Sequence, residues 1–202
     1  MSRSLNLSNS ELIEKSVANN ESELTHTGAL LSLTGNRTGR SPKDRFIVQE
    51  SSTKDKIDWG DVNKPFDSNH FDKLWEKVSA YLDDKEHYVS NVHVGSNKDH
   101  YIPVEVKSEL AWHSLFSKLI FISPKIFNEE NKEVWKIVTA ANYVCDPEED
   151  HTNSESCVII NFLRRKVLIA GMKYAGEIKK SMFAVQNFLL PEKGVLPMHC
   201  SA

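Results

Sequence analysis

The chain has 202 residues, 40% of them apolar, enough for one sizeable core. Its 25 lysines and arginines nearly balance 28 aspartates and glutamates, leaving a formal charge of −3 and no block of like charge, which argues against a nucleic-acid or membrane surface as partner. No apolar run approaches the ~20 residues that cross a bilayer, and MSRSLNLSNSELIEK lacks the apolar stretch of an export signal, so a soluble, cytoplasmic protein is expected.

Ser8 followed by Glu11 makes a capping box that opens a short helix, NSELIEKSV. ALLSL (Ala29 to Leu33) and RFIV (Arg45 to Val48) read as two strands flanking the polar loop TGNRTGRSPKD. Ser51 to Asn69 is turn-rich, with Gly60 and Pro65, and reads as a surface excursion. Phe71, Leu74, Trp75, Val78, Tyr81 and Leu82 recur at helical spacing and predict an amphipathic helix from Ser68 to Leu82. HYVSNVHV and YIPVEV read as strands on either side of the turn GSNKD. SELAWHSLFSKLIF predicts a second amphipathic helix with a serine cap and with Leu110, Ala111, Leu115 and Leu119 on one side.

KIVTAANYV, CVIINFL and KVLIAG are nearly continuous apolar runs, as expected of central strands covered on both faces. Only Arg164 and Arg165 separate the last two, which predicts a tight antiparallel hairpin. AGEIKKSMFAVQNFLL is a helix ended by Pro191 and Gly194. The sum is an α/β (α+β-like) domain, a mixed sheet flanked by helices, without clean βαβ alternation. VLPMHCSA reads as a new strand that stops at Ala202 with no cap or turn, the pattern of a piece cut from a longer protein or of a short C-terminal edge strand. Cys145, Cys157 and Cys200 form no C-x-x-C pair and read as reduced thiols, and the eight histidines make no zinc spacing.

Three places could carry chemistry. TGNRTGRSPKDRF sets Gly35 and Gly39 around two arginines, a loop suited to close approach and to anion binding, or simply a solvated hairpin loop. It is not a Walker loop, since G-x-x-x-x-G-K-[ST] is absent. Lys179 and Lys180 stand in the first turn of the last helix, where cations are locally unfavourable. They lie ~100° apart and would serve different atoms; a lysine neutralised by burial can coordinate a metal, whereas on a solvated face Glu177 is merely its counter-charge. His199 is either a structural residue or a metal ligand, Tyr174 either packs or meets a ligand, and Cys200 is inert.

Together TGNRTGRSPKDRFIV, NSESCVIINF, YAGEIKKSMF and LLPEKGVLPMHCSA resemble the ATP-dependent phosphoenolpyruvate carboxykinases, with weaker similarity through NKPFD and VKSELAWHSLFSKLIFI. The resemblance implies conversion of oxaloacetate and ATP to phosphoenolpyruvate, carbon dioxide and ADP, in a cleft between two domains, with Mn²⁺ at the catalytic centre and Mg²⁺ on the nucleotide. It implies that Arg40 binds the substrate carboxylate or carbon dioxide and that Tyr174 lies beside the substrate. By the same likeness Lys179 reaches the transferring phosphate, and Lys180 and His199 hold the metal and face substrate and nucleotide phosphates. Ser181 departs from an expected glycine, and the region before Thr25 is shorter and less alike than the family's. Residues 1–202 are then the N-terminal, substrate-side domain. Residues 195–202 would lead into a missing nucleotide-binding domain, its natural intramolecular partner, which carries the phosphate loop, a metal-binding aspartate and the adenine contacts, and the piece alone is expected to be inactive. The alternative is a stand-alone, non-catalytic module that keeps a half-site for dicarboxylates or a protein.

Overall fold

The computed structural model describes residues 3–198. In chain order the elements are β1 (Arg3–Leu5), α1 (Asn9–Ala18), β2 (Ser22–Leu24), β3 (Leu30–Ser32), β4 (Arg45–Val48) and β5 (Lys64–Phe66). There follow α2 (Ser68–Asp83), β6 (His87–Val94), β7 (Ile102–Ser108) and α3 (Ala111–Ile120). The last are β8 (Trp135–Ala140), β9 (Cys157–Asn161), β10 (Lys166–Ala170) and α4 (Gly176–Leu189). No helix among them is long and apolar enough to cross a membrane.

Eight strands form one mixed sheet in the order β1-β6-β7-β8-β10-β9-β4-β5, and β2 and β3 form a separate pair. The period of two along a strand divides the core. Val158, Ile160, Val167 and Ile169 face Ile178, Met182 and Val185 of α4. Cys157, Ile159, Leu168 and Ala170 face Phe71, Leu74, Val78 and Leu82 of α2 on the opposite side. Leu12 of α1 and Ala111 and Leu115 of α3 close a third cluster over Tyr88.

Most elements fall where their patterns place them, including the Ser8–Glu11 capping box and the antiparallel β9–β10 pair. That hairpin turns through four residues, Phe162 to Arg165, with Arg165 at φ 50° and Asn161 Oδ1 accepting the Arg164 N–H at 2.9 Å. Several expectations fail. β3 and β4 make no hairpin, because β3 pairs with β2 while β4 lies parallel between β9 and β5. The excursion after Ser51 contains β5, whose Pro65 is tolerated because the strand lies at the sheet edge. α3 has no serine cap: Ser108 ends β7, and Glu21, far back in the chain, accepts the Trp112 N–H at 3.1 Å instead. Leu119 is exposed rather than core. Val195–Met198, the described part of the last expected strand, takes no regular structure. Cys145 and Cys157, far apart in sequence, meet in the core as free thiols with Sγ atoms 3.8 Å apart.

Candidate functional site

Strand directions bring three loops to one end of the sheet. Arg45 at the start of β4 pairs with Val158 near the start of β9, and Ala170 at the end of β10 pairs with Cys157. The loop entering β4, the segment entering β9 and the turn leaving β10 therefore meet there. Gly171 makes that turn, at φ 70°, where a Cβ would stand 2.5 Å from the Glu155 carbonyl oxygen.

The two arginines of the 34–44 loop have opposite surroundings. Arg37 donates to Asp44 Oδ2 at 2.9 Å, to Ser41 Oγ at 2.7 Å and to Ser154 Oγ at 3.0 Å. Asp44 is buried and also accepts from Ser41 Oγ at 2.5 Å, Ser154 Oγ at 2.8 Å and Asn153 Nδ2 at 3.2 Å. Burial alone would raise its carboxyl, but these hydrogen bonds and the charge of Arg37 outweigh it and hold the group below the ordinary aspartate range. Arg37 and the NSES segment thus fix the loop. Arg40 is exposed and, among the described residues, makes no hydrogen bond or ion pair. It lines a cavity of about 310 Å³ with Pro42, Lys43, Arg45, Phe46 and Asn63.

The Tyr174 ring lies over Gly176, where any Cβ would come within 2.4 Å of it. This explains the glycine at the first position of α4. The loop before it is held by buried His113, whose Nε2 donates to the Lys173 carbonyl at 2.9 Å while Nδ1 lies 3.2 Å from the Thr139 hydroxyl. Burial pushes this imidazole down to about 4, so it stays neutral.

Lys179 and Lys180 diverge around α4. Lys179 lines a cavity of about 260 Å³ with His93, Gly95, Phe121 and Ile122. Lys180 lies within electrostatic reach of Arg40: partial burial first, then Arg40, Lys179 and Arg45, draw its amine below the ordinary lysine range, and Glu177 acts against them. Only the neutral form of a lysine amine can donate to a metal, and burial and the neighbouring cations shift Lys180 in that direction. No group of three or more histidine, cysteine, aspartate or glutamate side chains placed to hold a metal occurs among the described residues. His199 lies outside the described residues, as does Cys200.

Sequence reasoning missed Arg45 and the structural part of Glu177. Arg45 is largely buried, and burial followed by the charge of Arg40 lowers its guanidinium, with Glu177 opposing. The only signal for Glu177 was an acidic residue in a helix's first turn, favourable there on any helix.

The family profile described as phosphoenolpyruvate carboxykinase matches residues 2–202. Phosphoenolpyruvate carboxykinase (ATP) of Geobacillus kaustophilus is 49% identical over 97% of this chain and 38% of its own length. The proteins of the same name from Bacillus subtilis and Bacillus cereus are 46% and 48% identical, each over 98% of this chain. The match takes in the residues before Thr25, where motif resemblance is weak. The chain spans 38% of the length of these relatives.

Proposed function

This chain belongs to the phosphoenolpyruvate carboxykinase (ATP) family, and from that premise we propose that it is the N-terminal, substrate-side domain of such an enzyme, acting in the cytoplasm in gluconeogenesis. The parent reaction is the conversion of oxaloacetate and ATP to phosphoenolpyruvate, carbon dioxide and ADP. Residues 195–202 lead toward the nucleotide-binding domain in this reading. No observation favours a stand-alone dicarboxylate- or protein-binding module.

The observation that supports this assignment is the division of labour between Arg37 and Arg40. One guanidinium is locked by Asp44, and the other is left at a cavity mouth near the depressed amine of Lys180. Arg40 offers a planar fork to a substrate carboxylate or to carbon dioxide. Tyr174, seated over Gly176, presents its exposed part beside the substrate. Lys179 offsets charge on the transferring phosphoryl oxygens. Lys180 and His199 would hold Mn²⁺, with Mg²⁺ accompanying the nucleotide. When bound, the metal supplies a Lewis acid to the reacting oxygens.

Calorimetric titration of the chain with oxalate in the presence of Mn²⁺ tests the site. Arg40→Ala is expected to weaken binding by about tenfold or more, as loss of a charge-assisted fork should. Identical heats for the two proteins remove Arg40 from the site. In a carboxykinase assay the 202 residues alone are expected to show no turnover, because positioning of the nucleotide depends on groups they lack. ATP-dependent activity in this chain would refute that expectation.

A further inference from the structure

Glu177 has none of its surface exposed, yet only one of its two carboxylate oxygens is hydrogen-bonded. One carboxylate oxygen accepts the Ser41 backbone N–H at 3.2 Å. The other makes no hydrogen bond among the described residues, and Arg45 Nη1 stands 3.9 Å from it, too far for one. A buried carboxylate left in this state calls for an explanation, since buried polar atoms are ordinarily satisfied. Helix support is not enough, because an exposed acid in the first turn of α4 would serve the helix end as well.

Its neighbours supply the explanation. Ser41 directly follows Arg40, so the hydrogen bond pins the backbone beside that guanidinium. Arg45 shares the cavity with Arg40. Lys179 and Lys180 lie on the same helix two and three residues on, and Lys180 feels the Glu177 charge. One buried anion therefore holds the backbone beside Arg40, stands 3.9 Å from Arg45 and acts on the Lys180 amine.

We propose that Glu177 is the positioning residue of that site: it ties the arginine loop to the first turn of α4 and restrains Arg45 without satisfying it, leaving this second guanidinium available to the ligand's carboxylate beside Arg40. The proposal rests on the carboxykinase reading for the nature of the ligand, but not for the contact itself. Arg45 is thereby a specificity-determining residue, giving the cavity two planar forks and favouring a ligand with two adjacent carboxylate-type groups over a monocarboxylate.

The test compares the chain with Glu177→Gln and Glu177→Asp. Phenylglyoxal modification of Arg45, followed by peptide mass spectrometry with Arg37 as internal reference, reports the restraint without any ligand. Oxalate against acetate, titrated with Mn²⁺, reports the site. Gln preserves the acceptor for Ser41 but removes the charge, so Arg45 should react several-fold faster and oxalate should bind about tenfold more weakly, with the oxalate preference reduced. Asp keeps the charge but withdraws it from both partners. It should fail to restore the parent values, whereas a role confined to charge balance would be restored. The proposal is overturned if Gln leaves both readouts within about twofold of the parent, or if Asp restores them. Should Gln not fold, Asp decides alone. Faster Arg45 modification in Glu177→Gln than in the parent, when the parent itself takes up no oxalate, would uphold the positioning contact and sink the carboxykinase-site reading.

Discussion

Along β9 and β10 every residue from Cys157 to Asn161 and from Val167 to Ala170 is buried, and the one amide among them, Asn161, is engaged by the Arg164 N–H. Residues 37–45, at the end of the same sheet, carry three arginines, a lysine and a buried aspartate. The strands are held by apolar area, a non-directional force shared among many contacts. The loop is held by directional bonds, most of them to the Asp44 carboxylate and one to Glu177. Damage to the first region should grow with the volume removed, and damage to the second should depend on charge and geometry at these two acids.

The largest expected loss lies in the strands. Leu168→Ala removes a fully buried side chain facing α2 and should destabilise the chain by about 2–5 kcal/mol in urea unfolding. A loss below ~1 kcal/mol would mean that the sheet interior can collapse around the gap. Asp44→Asn comes next: the shape is kept, but Arg37, Ser41 and Ser154 lose a charged acceptor, for about 1–3 kcal/mol. Here the sign of the pH dependence sharpens the contrast. The Asp44 carboxyl is depressed in the folded state, so its stabilisation is present above the unfolded value of about 4 and is lost as pH falls through the folded value. Urea midpoints of Asp44→Asn should therefore fall less steeply below about pH 4 than those of the parent, whereas Leu168→Ala should run parallel to it. An unchanged slope in Asp44→Asn would show that other carboxyls carry the acid response.

Smaller effects probe the edges of the same comparison. Asp67 caps α2 through the Asn69 and His70 N–H groups, and Asp67→Ala should cost about 1 kcal/mol. Arg40→Met should change stability by no more than about 0.5 kcal/mol, being exposed and without ion pairs among the described residues. A loss comparable to that of Asp44→Asn would place Arg40 with the scaffold and not with the ligand.

Legibility followed the same division. α2 was readable because Phe71, Leu74, Val78 and Leu82 repeat at helical spacing and all four are buried. The central strands were readable as apolar runs. Their partners were not, since nothing in RFIV says that it pairs with residues 157–161 instead of the preceding strand. β5 escaped notice because three residues including a proline carry no period. The cap of α3 comes from Glu21, beyond the reach of any local motif. Arg37 and Arg40 are the same residue type three positions apart, and the bonds of Arg37 to Asp44, Ser41 and Ser154 tell them apart. The lysines could be suspected from their place in a helix's first turn, but the buried acid behind them looked like an ordinary solvated counter-charge.

The seat of β4 has a consequence for how the chain is made. Arg45 to Ile47 lie against Val158 to Ile160, so more than a hundred residues must leave the ribosome before this strand finds its inner neighbour. Until then Phe46, Ile47 and Val48 are a short sticky segment with an unpaired edge, preceded by the arginine loop. Contacts so distant along the polypeptide are slow to close, and refolding from urea should show Arg37 protected from modification only in the last kinetic phase.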